Sequence, residues 1–272
     1  MCRREWKLIK RRQISCCAMA VVVLIGSGVV GTVRSQTATP ASSKAFLQRV
    51  RRPFLREAWA RFEGRLWHKS LQGKDEVPVV LNMRFHENGV KAQLVLADTD
   101  LYTIVQTFGD GATVPDVNLQ LPESPDQVTL RELGLKPADF VFSFLYWDLV
   151  RELPPDSYRG QSCRVMELRH PESGRLVKVW FARKYRFPVR VVWLADDPSR
   201  ERTLEFTEFE KHDDMWFVRA IRFSGDRWKT LVVFDDAVLH PVSDVRPPED
   251  LFRGDVSALD GGPSDAAGCV TP

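Results

Sequence analysis

From Tyr158 onward the chain alternates apolar and polar residues for about 75 positions, and this stretch constrains the fold more than any other part of the sequence. The runs read SCRVMELRH, RLVKVWFAR, FPVRVVWLA, RTLEFTEFEK, MWFVRAIRFS and WKTLVVFDDAVL. Between them stand Pro171-Glu172-Ser173-Gly174, Asp196-Asp197-Pro198-Ser199 and Lys211-His212-Asp213-Asp214. Successive side chains of a strand point to opposite faces, so each run offers one apolar face. Loops this short cannot hold a crossover helix, so the runs must pair as an antiparallel meander rather than as β-α-β units.

The same period of two governs ARFEGRLWHKS, VPVVLNMRFHENG and VKAQLVLADTDLYTIVQTF. In the second of these, Val79, Leu81, Met83 and Phe85 share one face, and Val80, Asn82, Arg84 and His86 the other. Glu87-Asn88-Gly89 is a hairpin signal. Two segments follow a helical period instead. Phe46, Leu47, Val50, Phe54 and Leu55 predict an amphipathic helix over 43–58, capped by Ser42 or Ser43. Leu130, Leu133, Phe140, Phe144, Leu145 and Leu149 fall on helical stripes, which predicts a second helix over about 137–152, opened by Pro137-Ala138-Asp139 and ended by Pro154-Pro155. Residues 109–125 are turn-rich and read as a loop.

The N-terminus contains Gly26-Ser-Gly28-Val-Val-Gly31 after an apolar run, the spacing of a dinucleotide-binding turn. That chemistry needs a helix whose N-terminus faces the pyrophosphate and an acidic residue about 20 positions on. Here Pro40 interrupts the would-be helix, and the first carboxylate after Gly31 is Glu57. Arg3, Arg4, Lys7, Lys10, Arg11 and Arg12 precede an apolar stretch from Ile14 to Leu24, followed by a Val33-x-Ser35 processing pattern. This is the layout of a secretory signal peptide. Cys16 and Cys17 stand ahead of the apolar core Val21 to Leu24 rather than just after it, the wrong side for lipid attachment, and an uncleaved inner-membrane anchor is the alternative fate of the leader. The expected organisation is a signal peptide over 1–35, a spacer over 36–43, a folded domain over 44–254 and a disordered polar tail over 255–272.

The whole chain has a formal charge of +3, but residues 1–35 hold seven of its 39 Lys and Arg and one of its 36 Asp and Glu. The remainder has 32 against 35, a net −3, which takes away the electrostatic support for nucleic-acid binding. Only Cys163 and Cys269 lie beyond the leader, too few and too far apart to give a disulfide framework, and Cys163 reads as a buried apolar filler. His68, His86, His170, His212 and His240 stand at no metal-ligand spacing. No nucleophile elbow or P-loop is present, and Asp213-Asp214 and Asp235-Asp236 read as solvated strand ends. The sequence therefore points away from an enzyme, and no metal or cofactor is expected.

It offers apolar surface in excess instead. Val177, Val179 and Phe181 alternate with Lys178, and Val189, Val191 and Trp193 with Arg190. One face of so broad a sheet must be covered, and the two expected helices are the elements available to cover it. A curved sheet under helices encloses an apolar space that side chains need not fill.

The order of these segments resembles that of a known family. YWDLV is followed by Gly160-Gln-Ser-Cys163-Arg-Val-Met166, then RLVKVWFARKYRFPVRVVWL, then TLEFTEFEKHDDMWFVRAIRF, a succession similar to that of the outer-membrane lipoprotein-sorting, LolA-like proteins. The resemblance spans Phe140 to Phe234 best and Ala45 to Phe108 more loosely. Ala182-Arg183 and Asp214-Met215-Trp216 depart from it, at turns rather than on apolar faces. It implies a mainly β (α+β) domain, a curved, unclosed antiparallel β-barrel with a helical lid over an apolar cavity. It also implies a periplasmic, monomeric carrier whose partners are lipid acyl chains or lipidated proteins, with membrane donor and acceptor proteins at either end. A different class of function open to such a fold is a periplasmic sensor, of the sigma-factor regulator type, that binds a segment of a membrane protein. The expected acyl-chain contacts are Leu81, Met83, Phe85, Leu94, Val179, Phe181, Val191 and Trp193. Phe140, Phe144, Tyr146 and Trp147 are expected in the lid. Each of these also reads as ordinary core, the commoner role of such stripes. Arg190 and Arg219 read either as contacts for a headgroup or acidic partner or as solvated sheet positions.

Overall fold

The computed structural model describes residues 40–51, 57–108, 114–120, 129–212 and 215–253. The expected leader over 1–35, Asp213-Asp214 and the expected tail over 255–272 lie outside the described residues.

Among the described residues, twelve strands form one antiparallel sheet: β1 (Ala58–Lys69), β2 (Lys74–His86), β3 (Gly89–Leu96), β4 (Asp100–Thr107), β5 (Asp116–Gln120), β6 (Asp148–Tyr158), β7 (Gln161–Arg169), β8 (Leu176–Ala182), β9 (Phe187–Trp193), β10 (Arg202–His212), β11 (Met215–Gly225) and β12 (Trp228–Pro241). Two meanders, β1 to β5 and β6 to β12, are joined by pairing of β1 with β12 along their whole length. The resulting order, β5-β4-β3-β2-β1-β12-β11-β10-β9-β8-β7-β6, leaves β5 and β6 as unpaired edges. These are consecutive in sequence, so the segment that connects them has to pass from one edge of the sheet to the other.

At the seam between the meanders the register slips beside Gly64. The backbones come so close there that a Cβ on Gly64 would stand 2.0 Å from the Val233 carbonyl oxygen. Elsewhere the sheet frays. β9 pairs with β10 only over Arg202 to Glu205, and β11 with β12 only from Ala220 to Gly225. Two register slips in β10, around Glu208, accompany the departure of the outer half of the β10–β11 hairpin.

The only α-helix among the described residues is α1 (Pro40–Arg51). It starts earlier than the expected 43–58, and Phe54 and Leu55, expected on its apolar face, lie outside the described residues. Proline is tolerated in a first turn, where its missing N–H has no partner to lose. Ser43 lies within the helix and bonds outward instead of capping it.

The second expected helix, over 137–152, is corrected. The chain makes two single 3-10 turns, Pro137–Asp139 and Ser143–Tyr146, and from Asp148 it is strand β6. Phe142 in the left-handed region (φ 50°) and Trp147 in extended backbone interrupt the helical path. Pro154-Pro155 does not end a helix but sits in an edge strand, at a register slip between Leu153 and Asp156, where no ladder N–H is required. The expected loop over 109–125 contains β5.

The inner face of the sheet carries one continuous apolar core, from Phe62 and Leu66 on β1 through Ile104 on β4 to Leu168 on β7 and Phe223 on β11. A smaller cluster lies on the outer face: Cys163, Val165, Trp180, Ala182, Val189 and Val192. Val189 was expected beside Val191. The register slip opposite Trp180 and Phe181 sets Val189 on the outer side with Val192. Cys163 is fully buried there, and burial raises its thiol pKa, as suits a packing residue. After β12 the chain returns over the outer face of β1 to β3. The Gln93 amide exchanges hydrogen bonds with the backbone of Arg253 (2.8 and 2.7 Å), and Trp59 Nε1 donates to the Val245 carbonyl (2.9 Å).

Candidate functional site: an apolar inner face under an irregular connection

Strand pairing brings the eight expected acyl-chain contacts to one surface. Leu81 stands opposite Leu94 across β2 and β3, and Val179 opposite Val191 across β8 and β9. With Met83 and Phe181 these are buried in the inner core, and Phe85 and Trp193 are half-buried against it. Phe140, Phe144, Tyr146 and Trp147 descend onto the same core from the β5–β6 connection. All twelve residues therefore share one cluster, although the covering segment is not a helix. Arg190 and Arg219 lie apart from it. Arg190 sits on the outer face over the rings of Tyr158 and Trp180 (5.7 and 5.0 Å), and Arg219 pairs with Glu210 on the outer half of the hairpin (3.3 Å).

Rings fill the space between connection and sheet. The edge of Phe144 meets Trp193 (6.0 Å), Tyr146 stacks on Phe108 (4.8 Å), and Phe142 meets Phe206 edge-on (5.1 Å). Offset and edge-on pairs of this kind stabilise by about 0.5–1.5 kcal/mol beyond burial.

Polar clasps fix the connection at three places and tie α1 to β6 at a fourth. Thr230 Oγ1 on β12 donates to the Leu133 carbonyl (2.5 Å) and meets the buried His68 Nδ1 (2.8 Å). Arg202 on β10 grips Asp139 with both guanidinium Nη atoms (2.6 and 2.7 Å) while lying over the Trp193 ring (4.0 Å). Arg51, the last residue of α1, donates to the carbonyls of Leu145 (2.7 Å) and Trp147 (3.0 Å). Burial works against the charge of this guanidinium and lowers its pKa, and it equally raises that of the neighbouring Tyr146 phenol. At the other end of α1, Ser43 and Arg164 converge on Glu152, with Arg164 Nε donating at 2.8 Å. The Arg164 guanidinium holds the Glu152 carboxyl below the usual carboxylate range, against the opposing effect of burial. The same guanidinium lies over Phe46 (4.4 Å), whose ring meets Phe181 edge-on (5.9 Å).

Two features of the connection run against local preference. Phe142 adopts a left-handed conformation that non-glycine residues seldom take. Trp147 has its indole N–H buried with no hydrogen-bond partner among the described residues. Sequence reading located the large apolar residues but missed Arg51, Arg164, Arg202, Glu152 and Phe142. Their partners are 63 to 109 positions away in sequence in the cases of Asp139–Arg202, Arg51–Leu145 and Ser43–Glu152, so no local spacing announces them. Among the described residues, no three His, Cys, Asp or Glu side chains are grouped to hold a metal ion.

No protein-family model and no curated protein matches the chain. Solved structures do. A DUF1329 family protein from Desulfovibrio piger superposes with a TM-score of 0.60 at 15% identity, covering 80% of this chain and 98% of that one. A putative outer membrane lipoprotein-sorting protein domain from Vibrio parahaemolyticus gives 0.57 at 14% identity over 76% and 94%. A LolA superfamily protein from Nitrosomonas europaea gives 0.47 at 12% identity over 79% of this chain and the whole of that one, a score too low to bear on the fold. At these identities the likeness is one of architecture: the chain has the mainly β, unclosed antiparallel fold seen in the lipoprotein-sorting domain, the family its segment order resembles.

Proposed function

We propose that the inner apolar face receives the acyl chains of lipids or lipidated proteins and that the protein carries them through the periplasm, in the sorting of outer-membrane lipoproteins. The observation that carries this reading is how the face is covered. A twelve-stranded sheet would ordinarily bury its apolar side against a second sheet or a layer of helices. Here much of the cover is an irregular connection with two single helical turns, held by side-chain clasps. Such a cover can lift without dismantling the sheet.

The magnitudes suit reversible loading. A sixteen-carbon chain gains about 12 kcal/mol on leaving water, at about 0.8 kcal/mol per CH₂. Exposing four large apolar side chains of the connection costs about 6–12 kcal/mol. The two nearly cancel, so occupancy can be set by donor and acceptor membranes rather than by irreversible trapping. The cationic, apolar leader of the sequence supports export, and the shared fold with the Vibrio parahaemolyticus domain supports the sorting role. Lipid extraction and mass spectrometry of the protein purified from a bacterial host tests the reading. Co-purifying acyl lipid at near one molecule per chain is expected. Protein free of lipid that also fails to take up a fluorescent fatty acid would contradict it.

A further inference from the structure

Trp147 is 6% exposed, lies in the inner core, and has an indole N–H that makes no hydrogen bond among the described residues. A buried donor without an acceptor is costly, and native structures seldom retain one without a use for it. Its surroundings offer further donors. The Trp147 carbonyl is already occupied by Arg51. The nearest ring is His170, met edge-on at 4.8 Å. His170 Nδ1 accepts from the backbone N–H groups of Glu172 and Ser173 (both 3.2 Å), which places the proton of the neutral ring on Nε2. Burial, then Arg175 and Lys136, lower the pKa of that ring, against the opposing charge of Glu172. The corner where the connection meets β6 and β7 thus has a buried indole N–H beside a second ring donor, with the charges of Arg175, Lys136 and Glu172 around that ring.

We propose that Trp147 Nε1–H donates to the carbonyl oxygen of an ester-linked acyl chain, fixing the head of the chain at this corner. This rests on the acyl-chain reading above and deepens it. The hydrocarbon would lie along the inner face, and the indole would distinguish an acylated lipid from a plain hydrocarbon of equal length. The discrimination comes from one hydrogen bond in a site screened from water.

The test compares phosphatidylglycerol with two ester-linked chains against its diether analogue of the same chain length and headgroup, in which weakly accepting ether oxygens replace the carbonyls. Equilibrium binding to the wild-type protein should favour the diester by about three- to tenfold, the worth of one net hydrogen bond. Trp147→Phe should bring the diester-to-diether affinity ratio to about one, whatever the change in absolute affinity for either lipid. Equal wild-type affinity for both lipids, or a preference that survives in Trp147→Phe, would overturn the inference and leave the acyl-chain reading standing. Binding of neither lipid would overturn both. The wild-type ratio alone decides the matter should the variant fold poorly.

Discussion

Asp139 is 4% exposed, and both its oxygens are taken by Arg202, itself largely buried. The neutral truncation Arg202→Met would leave that carboxylate in a dry site without its partner, at a cost of about 3–5 kcal/mol. Urea denaturation should register this loss, and adding Asp139→Asn should return much of it. Glu152 gives a pH signature. Its folded-state pKa lies below the ordinary value because Arg164 and Ser43 bond to the charged form. Its clasp therefore contributes fully above the ordinary carboxylate range and is lost as pH falls through that range toward the folded value. Acidification from pH 7 to about 4 should lower the urea midpoint of the wild-type protein more than that of Glu152→Gln, which has no carboxyl to protonate. Equal losses in the two proteins would dissociate Glu152 from the acid response.

The seam between β1 and β12 depends on Gly64, whose missing Cβ lets the Val233 carbonyl approach. Gly64→Ala should cost about 1–3 kcal/mol, the range for overpacking a close contact, with the loss appearing as faster hydrogen exchange along both strands. Strands of this kind were legible in the sequence because period two survives wherever one face is buried, and all six late runs and the early hairpins form where that period predicts. The connection was not legible. Phe140, Phe144 and Leu145 do fall on a helical stripe, but five or six apolar residues fit a buried irregular segment as well as a helix. The deciding contacts, from Arg51, Arg202 and Thr230, arrive from distant strands and from α1. Val189 shows the same limit at smaller scale. A register slip placed by the partner strand turned it to the outer face, and nothing in FPVRVVWLA marks where a slip will fall.

At the scale of the molecule, twelve strands curl far enough to share one inner core yet stop short of closing, and the chain bridges the two edges with the segment that covers that core. The alternation of β2 and β8 was readable in the sequence, that of β9 only apart from Val189, and which face turns inward was not. That these strands form a single surface depends on β1 pairing with β12, a contact spanning most of the chain. The central claim is that this surface holds acyl chains once the connection lifts, and a diazirine-bearing fatty acid tests it most directly, by crosslinking in place and mapping the modified peptides. Saturable labelling of Leu81, Met83, Leu94, Phe181 and Val191, displaced by unlabelled lipid, is the predicted result. Labelling confined to exposed residues such as Tyr185 and Trp216, or labelling that never saturates, would contradict the account.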